Sequence, residues 1–442
     1  MECPLTQHYR RDGRPLSLQE YVKTGGYRSF KRLAAGLSPQ DIQQLVTESG
    51  LRGRGGGGFQ TGAKWSFVPM GSDASRPKYL VANADEMEPG TFKDRILLEG
   101  DPHAMVEGMV LAGYAIQAEV GYIFLRGEYH RAAERLSRAI GEAYAAGHLG
   151  ATLPGVEFRF DLYLHTSAGR YICGEETALL NALEGKRAIP RAKPPYPQTA
   201  GLWGRPTVVQ NVETLYNVPH IVNYGAAWYR GLSRGKDGGT KIYGMSGHVH
   251  EPGWWELPMG TTLRELVEER AGGMLPGFGF RGLLPGGAST AFLTEEHFHL
   301  PMDFSSIPAH LSRLGTGTMI VLDDRTCPIG FLLNLERFFA RESCGWCTPC
   351  REGLPWVARI LSLFEEGRAT SDDLALLEWH AQRLGPGHTF CALAPGAVEP
   401  LKSALIYFRD DFLRHIRLGS CPWRPNGFSR RRPLRVLSEI QA

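Results

Sequence analysis

Cys344-Gly345-Trp346-Cys347-Thr348-Pro349-Cys350 places three thiols at positions i, i+3 and i+6, and a fourth, Cys391, follows far downstream. Thiolates so spaced can wrap three corners of an iron–sulfur cube while a distant cysteine closes the fourth. Zinc sites built from four cysteines usually come as two separated pairs. The three-plus-one arrangement therefore points to a 4Fe–4S cluster, with structural zinc and ordinary core cysteines as the alternatives. The other four cysteines, Cys3, Cys173, Cys327 and Cys421, are isolated in sequence and read as buried or incidental thiols. The N-terminal stretch MECPLTQHYRRDGRP has no apolar core of a signal peptide. A large chain without an export signal is expected to keep its thiols reduced, which favours metal over disulfides.

Composition narrows the classes further. Of 442 residues, 54 are glycine, well above the roughly 7 % of an average protein. No Gly-X-Y period runs through the chain, so collagen is excluded. With 43 % hydrophobic and 21 % charged residues the chain is globular, and its length suggests about two to three domains. A formal net charge of +3, spread evenly, argues against a nucleic-acid partner or a membrane surface. The longest apolar stretch, 108–125, is interrupted by Gln117 and Glu119. It falls short of the roughly 18 apolar residues of a span, so no direct membrane insertion is expected.

Hydrophobic periodicity divides the chain in three. Ser38-Pro39-Gln40-Asp41 reads as a capped helix start, with Ile42, Leu45 and Val46 at helical spacing and Gly50 as the stop. Lys78 to Ala82 and Gly121 to Arg126 read as buried strands. Arg131 to Ala146 and Glu175 to Leu183 read as helices. Phe158, Phe160, Leu162 and Leu164 alternate with polar residues, which predicts a strand. Alternating strands and helices over about 30–230 predict an α/β domain. Short strands and one helix starting at Thr262 suggest a small α+β module over about 240–325. From Pro328 onward the pattern predicts four helices, the last running from Val398 through Phe408 to Phe412, as a bundle carrying the cysteines.

Three further segments carry chemistry. Gly53-Arg54-Gly55-Gly56-Gly57-Gly58-Phe59 matches G-x-G-x-x-G by spacing, but a helix precedes it where a dinucleotide fingerprint needs a strand. Its exposed N–H groups still suit a flat ring or a pyrophosphate. Arg54 and Lys64 could add charge and Phe59 a stacking face; a flexible linker and an RNA-binding Arg-Gly segment are the alternatives. Asn83-Ala84-Asp85-Glu86-Met87-Glu88 ends a strand, where open α/β sheets bind ligands. Its carboxylates could accept sugar hydroxyls, bind a hard cation, or form a solvated turn paired with Lys93 and Arg95. Gly174-Glu175-Glu176-Thr177 opens a helix, so its acids are either dipole partners or hydroxyl acceptors. Pro190 to Pro197 holds Lys193 and Tyr196 on a stiff strap, either a connector or a ligand-facing segment.

GLRGRGGGGFQTGAKWSF, NADEMEPGTFKDR, YICGEETALLNALEGKRAIPRAKPPYP and ESCGWCTPCREG, taken in this order, closely resemble the family of flavin-bearing, NADH-oxidising subunits of bacterial respiratory complex I. The likeness covers about Tyr21 to Phe412. It implies a Rossmann-like FMN/NADH domain over 1–235, a ubiquitin-like β-grasp domain over 236–326 and a helical 4Fe–4S domain over 327–442. It implies that FMN lies on Gly53, Gly55 and Gly56, held by Lys64, Asn83, Asp85, Tyr171, Gly174, Glu175, Asn211 and Thr214. NADH would stack on the flavin, its adenine against Phe59, Phe67 and Tyr196, with Glu88 near the nicotinamide. Glu176 would bind the adenosine ribose and disfavour NADPH by like-charge repulsion. With Arg54, Glu86 and Lys193 added from the motifs, these form the expected cofactor site; Cys344, Cys347, Cys350 and Cys391 are the expected cluster ligands. No general acid or base is expected, because the cofactors carry the redox chemistry. The family also implies a 2Fe–2S small subunit and a large iron–sulfur subunit as partners, and a peripheral place on the cytoplasmic face of the inner membrane. Three positions depart from its usual pattern: Gly57 stands for alanine, Ser167 for glycine and Gln210 for asparagine. The rivals are a diaphorase subunit of an NAD-linked hydrogenase or formate dehydrogenase, and a non-enzymatic electron relay.

Overall fold

The computed structural model describes residues 2–424 apart from 11 and 154. Its first sheet contains β1 (Tyr79–Ala84), β2 (Val120–Leu125), β3 (Asp161–Thr166) and β4 (Thr207–Asn211), all parallel, in the order β3-β2-β1-β4. Parallel neighbours require crossover segments, and helices on both faces bury the strands. Alternation along β1 meets that demand. Leu80, Ala82 and Ala84 enter one core with the helices Pro102–Ile116 and Val212–Tyr224. Tyr79 and Val81 enter the opposite core with the helix Glu176–Leu183 and the C-terminal bundle. From β1 the chain winds outward through β2 and β3, then returns to β4 on the other side. That reversal opens a crevice at the carboxyl ends of β1 and β4, where doubly wound sheets bind ligands.

Local signals account for the helix starts. Ser38 caps Pro39–Glu48 in a reciprocal box: Asp41 N–H donates to Ser38 Oγ at 3.1 Å, and Ser38 N–H to Asp41 Oδ2 at 2.8 Å. Asn211 caps Val212–Tyr224 by accepting Glu213 N–H at 3.0 Å.

One expected strand is shorter than its pattern suggests. Phe158 and Phe160 precede β3, because β2 begins only at Val120, opposite Asp161; their carbonyls accept the N–H groups of Leu153 and Gly150 at 3.0 and 2.9 Å, beside an isolated antiparallel bridge of Thr152 with Arg159. Both rings join the core beside Tyr114.

The second sheet holds β5 (Thr240–Ser246), β6 (Gly253–Pro258), β7 (Phe280–Leu284) and β8 (Thr318–Asp323) in the order β6-β5-β8-β7. The central pair is parallel and the outer pairs are antiparallel, a grasp-like α+β arrangement. Thr262 and Glu265 form the expected capping pair before the helical segment Glu265–Arg270.

From Pro328 the chain is a bundle: Pro328–Glu342, Thr348–Glu365, Ser371–Arg383, Leu393–Tyr407 and Arg409–Leu418. The expected fourth helix is thus two. It breaks at Phe408 (φ −120°, ψ 23°), whose buried ring packs edge-on against Phe292 at 5.1 Å. Asp411 N–H then bonds Phe408 O and starts the last helix.

Candidate cofactor cleft and four-cysteine cavity

A cleft of about 430 Å³ lies at the carboxyl ends of β1 and β4. The glycine loop forms one wall. Gly56 sits at φ +116° and Gly58 at φ +63°, where L side chains are strained. A Cβ on Gly58 would also stand 2.5 Å from the Phe304 ring, whereas Gly57 has open space, so alanine there would be harmless.

The loop's arginine points elsewhere. Arg54 is buried, and its guanidinium donates to Gly238 O at 2.8 Å, Thr240 O at 3.2 Å and Tyr229 Oη at 3.3 Å. Its backbone N–H donates to Thr214 Oγ1 at 2.8 Å. The expected Arg54 and Thr214 therefore support the loop from behind and do not wall the cleft. Long-range carbonyls of the second module outcompete a solvent-side ligand for this cation.

The segment after β1 forms the opposite wall. Asp85 accepts Ser167 Oγ at 3.0 Å, but its Oδ2 is buried without a hydrogen-bond partner among the described residues. Burial pushes its pKa up to about 6, against the opposing Ser167 bond and Arg126 charge. Asn83 donates to Gly174 O at 3.3 Å. Glu86, expected as a ligand acceptor, spends its carboxylate on the N–H groups of Asp94 (2.8 Å) and Arg95 (3.1 Å) and on Tyr129 Oη (3.0 Å). It caps the helix Lys93–Gly100. Glu88 accepts Tyr171 Oη at 2.7 Å and Ser289 N–H at 2.6 Å, and burial raises its pKa. Tyr171 thus fixes Glu88.

The start of Glu176–Leu183 divides its two acids. Glu175 caps the helix, accepting N–H from Thr177 and Ala178 at 2.9 and 2.8 Å. Glu176 pairs with Lys64 at 2.8 Å and Lys193 at 2.9 Å. Burial disfavours its charge, yet these two lysines lower its pKa. Lys64 also donates to Val209 O at 2.8 Å. Lys193, Tyr196 and Phe67 do not wall the cleft; Phe67 and Tyr196 are exposed, Phe67 lying 6.4 Å from the lining Phe59.

Several lining residues escape sequence reasoning as site residues, and Lys93 reads from the sequence only as a partner of the acidic turn. Lys93 donates to Asn211 Oδ1 at 3.2 Å, and Asp94 accepts Asn211 Nδ2 at 2.7 Å. Ser289, Arg313, Gly315 and Thr316 reach the cleft from the second module. Their only sequence signal is the glycine pairing in PGGAS and GTGT. Gln210 also lines the cleft, donating to Thr61 Oγ1 at 3.3 Å.

Cys344, Cys347, Cys350 and Cys391 converge on one small cavity. Cys347 stands just before the helix Thr348–Glu365, and Cys391 just before Leu393–Tyr407. Burial pushes Cys350 up to about 12 and Cys391 up to about 11. Such thiols ionise when metal charge is supplied. Four converging sulfurs fit a 4Fe–4S cluster. The glycine backbone and the unpartnered Asp85 oxygen fit a hydroxyl-bearing flat cofactor in the cleft. Cys391, Ile172 and Leu393 line both cavities and are their common wall.

A family model described as the Nuo51 FMN-binding domain matches residues 46–220. An SLBB domain matches 242–290, and an NADH-ubiquinone oxidoreductase-F iron–sulfur binding region matches 330–415. The chain is 55 % identical over 409 residues to the F subunit of NADH-quinone oxidoreductase from Salmonella typhimurium, covering 92 % of each. The F subunit from Mycobacterium bovis is 44 % identical, with 96 % of this chain and 95 % of that one covered. Among solved structures, an NAD+-reducing [NiFe]-hydrogenase in the H2-reduced state is similar with a TM-score of 0.80 and 36 % identity. That match covers 93 % of this chain and 67 % of the hydrogenase chain.

Proposed function

The chain belongs to the family of NADH-quinone oxidoreductase F subunits, the NADH-oxidising subunits of respiratory complex I, and from that premise we propose how its residues divide the work. Its activity is that of an FMN- and 4Fe–4S-dependent NADH dehydrogenase subunit. Bound FMN supplies the change from two-electron chemistry with NADH to one-electron transfer toward the cluster.

Gly53, Gly55 and Gly56 present backbone to the ring system, and Asn83, Asp85 and Asn211 accept or donate to its polar chain. Lys64 and Lys93 bring positive charge to the same cleft. Glu88, held by Tyr171 and Ser289, borders the nicotinamide position. Phe59, Phe67 and Tyr196 offer stacking faces for adenine, and Glu176 meets the adenosine ribose. Cys344, Cys347, Cys350 and Cys391 hold the cluster. The domains are 1–235, 236–326 and 327–442; residues 425–442 of the last lie outside the described residues.

The observation that carries this reading is the common wall of cleft and cysteine cavity at Ile172, Cys391 and Leu393. A donor site and a cluster so joined need no intervening carrier. Quinone reduction belongs to the whole complex, in which this chain docks against a 2Fe–2S small subunit and a large iron–sulfur subunit. No helix among the described residues is long and apolar enough to cross a membrane. The protein is peripheral, and we place it on the cytoplasmic side of the inner membrane. A hydrogenase diaphorase role is supported less well: the chain covers 67 % of the hydrogenase chain but 92 % of the Salmonella typhimurium relative.

The test is cofactor content with turnover. The purified full chain should carry about one FMN and about four iron atoms, and should reduce ferricyanide with NADH. Iron without flavin, and no NADH–ferricyanide activity, would leave only an electron relay.

A further inference from the structure

At the far end of the bundle, Cys327, Glu365, His415 and Cys421 bring one ligand atom each to within 4.8 Å of one another, all buried. They come from four separate places. Cys327 follows β8 and caps Pro328–Glu342, Glu365 ends Thr348–Glu365, His415 lies in Arg409–Leu418, and Cys421 follows that helix. Two glycine turns make the meeting possible. Gly419 takes φ +58° at the end of its helix, and a Cβ on Gly367 would stand 2.0 Å from Gly419 O. The backbones after Glu365 and before Cys421 therefore touch.

The contacts have the character of a coordination shell. Cys327 Sγ lies 2.8 Å from Glu365 Oε1 and 3.5 Å from His415 Nε2, and His415 Nε2 lies 3.5 Å from Glu365 Oε1. Ligands at zinc–sulfur and zinc–nitrogen distances on a tetrahedron stand about 3.3–3.8 Å apart, which the two His415 separations match; the shorter Cys327–Glu365 contact is a thiol–carboxylate hydrogen bond that opens when the ion binds. His415 Nδ1 bonds Asp411 O at 2.7 Å, which turns Nε2 inward; metal-bound histidines are oriented by such a bond. Gly330 N–H reaches Cys327 Sγ at 3.4 Å. Glu365 Oε2 is buried without a hydrogen-bond partner among the described residues, the Arg424 guanidinium standing 3.8 Å away. Against its burial, the carboxylate is held charged by its neighbours, and Oε2 keeps an open acceptor position that an ion between the four groups would engage.

We propose that Cys327, Glu365, His415 and Cys421 form a structural zinc site, separate from the four-cysteine cavity, that ties the end of the second bundle helix and the last helix to the junction of β8 with the first. Two thiols, one imidazole and one carboxylate suit zinc among the common divalent ions. Binding replaces the two thiol protons, which leave to solvent. With two thiolates and a carboxylate around a divalent ion the site carries one negative charge, and Arg424 stands beside it. The ion takes no part in electron transfer, because zinc has no accessible redox change.

The test uses the purified full chain with its cofactors bound. Elemental analysis should find about one zinc per chain beside the cluster iron. X-ray absorption at the zinc edge should show two sulfur, one nitrogen and one oxygen neighbour. C421S and H415A should lose zinc at least tenfold while keeping iron and FMN. Three results would each overturn the proposal: no stoichiometric zinc, an all-sulfur shell placing zinc among the cluster cysteines, or Cys327 and Cys421 joined as a disulfide by mass spectrometry. The wild-type absorption measurement decides even where a variant does not fold.

Discussion

Glu176 occupies two lysines at once, Lys64 at 2.8 Å and Lys193 at 2.9 Å. While it does so, neither lysine is free for an added phosphate, and the carboxylate repels one. In E176Q the repulsion disappears and both ammonium groups become available. The ratio of kcat/KM for NADPH over NADH should rise about tenfold, a difference of about 1.4 kcal/mol. An unchanged ratio would remove Glu176 from the ribose site. At this scale the sequence was informative about residue type and less so about direction. Gly53, Asn83 and Asp85 line the cleft, and the four cysteines line one cavity. Arg54 lines neither, because residues 229, 238 and 240, nearly two hundred positions away, claim its guanidinium. Glu86 and Glu175 look like ligand acceptors in a short window, but each satisfies helix-start N–H groups. Only the folded chain distinguishes a capping acid from a binding one.

Between elements, one carboxylate joins the two sheets. Glu213, in the first turn of Val212–Tyr224, accepts Ile242 N–H of β5 at 2.9 Å. It also pairs with Lys93 at 2.9 Å and Lys241 at 3.0 Å. Burial opposes its ionisation, but Lys241, Lys93 and Arg54 outweigh burial and hold its pKa down to about 2. The folded value lies below the unfolded one, so this contribution to stability is present above about pH 4.5 and is lost as pH falls toward about 2. E213Q should destabilise the full chain by about 3–5 kcal/mol at neutral pH and flatten its stability over that acid window. Urea unfolding across pH would show this, and a variant as stable as the wild type would deny the network its role. Elements with strong local periodicity, such as Pro39–Glu48 and His130–Ala145, were legible from sequence within a residue or two. The break at Phe408 was not, because its cause is a ring contact with Phe292 more than a hundred residues earlier. The shortened β3 likewise depends on where its partner strand begins.

Across the whole molecule, the parallel sheet, the grasp-like module and the helical bundle meet around one cleft, and the bundle contributes the wall that the cysteine cavity shares. The second module's part in that cleft, through Ser289, Arg313 and Thr316, was invisible to motif reading, since those residues form no motif of their own. The central claim is that electrons entering the cleft leave through the cluster beside it. Cys391 is the one cluster ligand facing both cavities, so C391S should degrade the cluster while the α/β domain stays folded and keeps FMN. The most direct measurement is anaerobic addition of NADH to the purified full chain, following flavin absorption and the cluster's EPR signal together. The wild type should show flavin bleaching and a reduced-cluster signal, and C391S only the bleaching. A wild-type chain whose flavin bleaches with no cluster signal, or a C391S chain whose cluster signal is unchanged, would contradict the account.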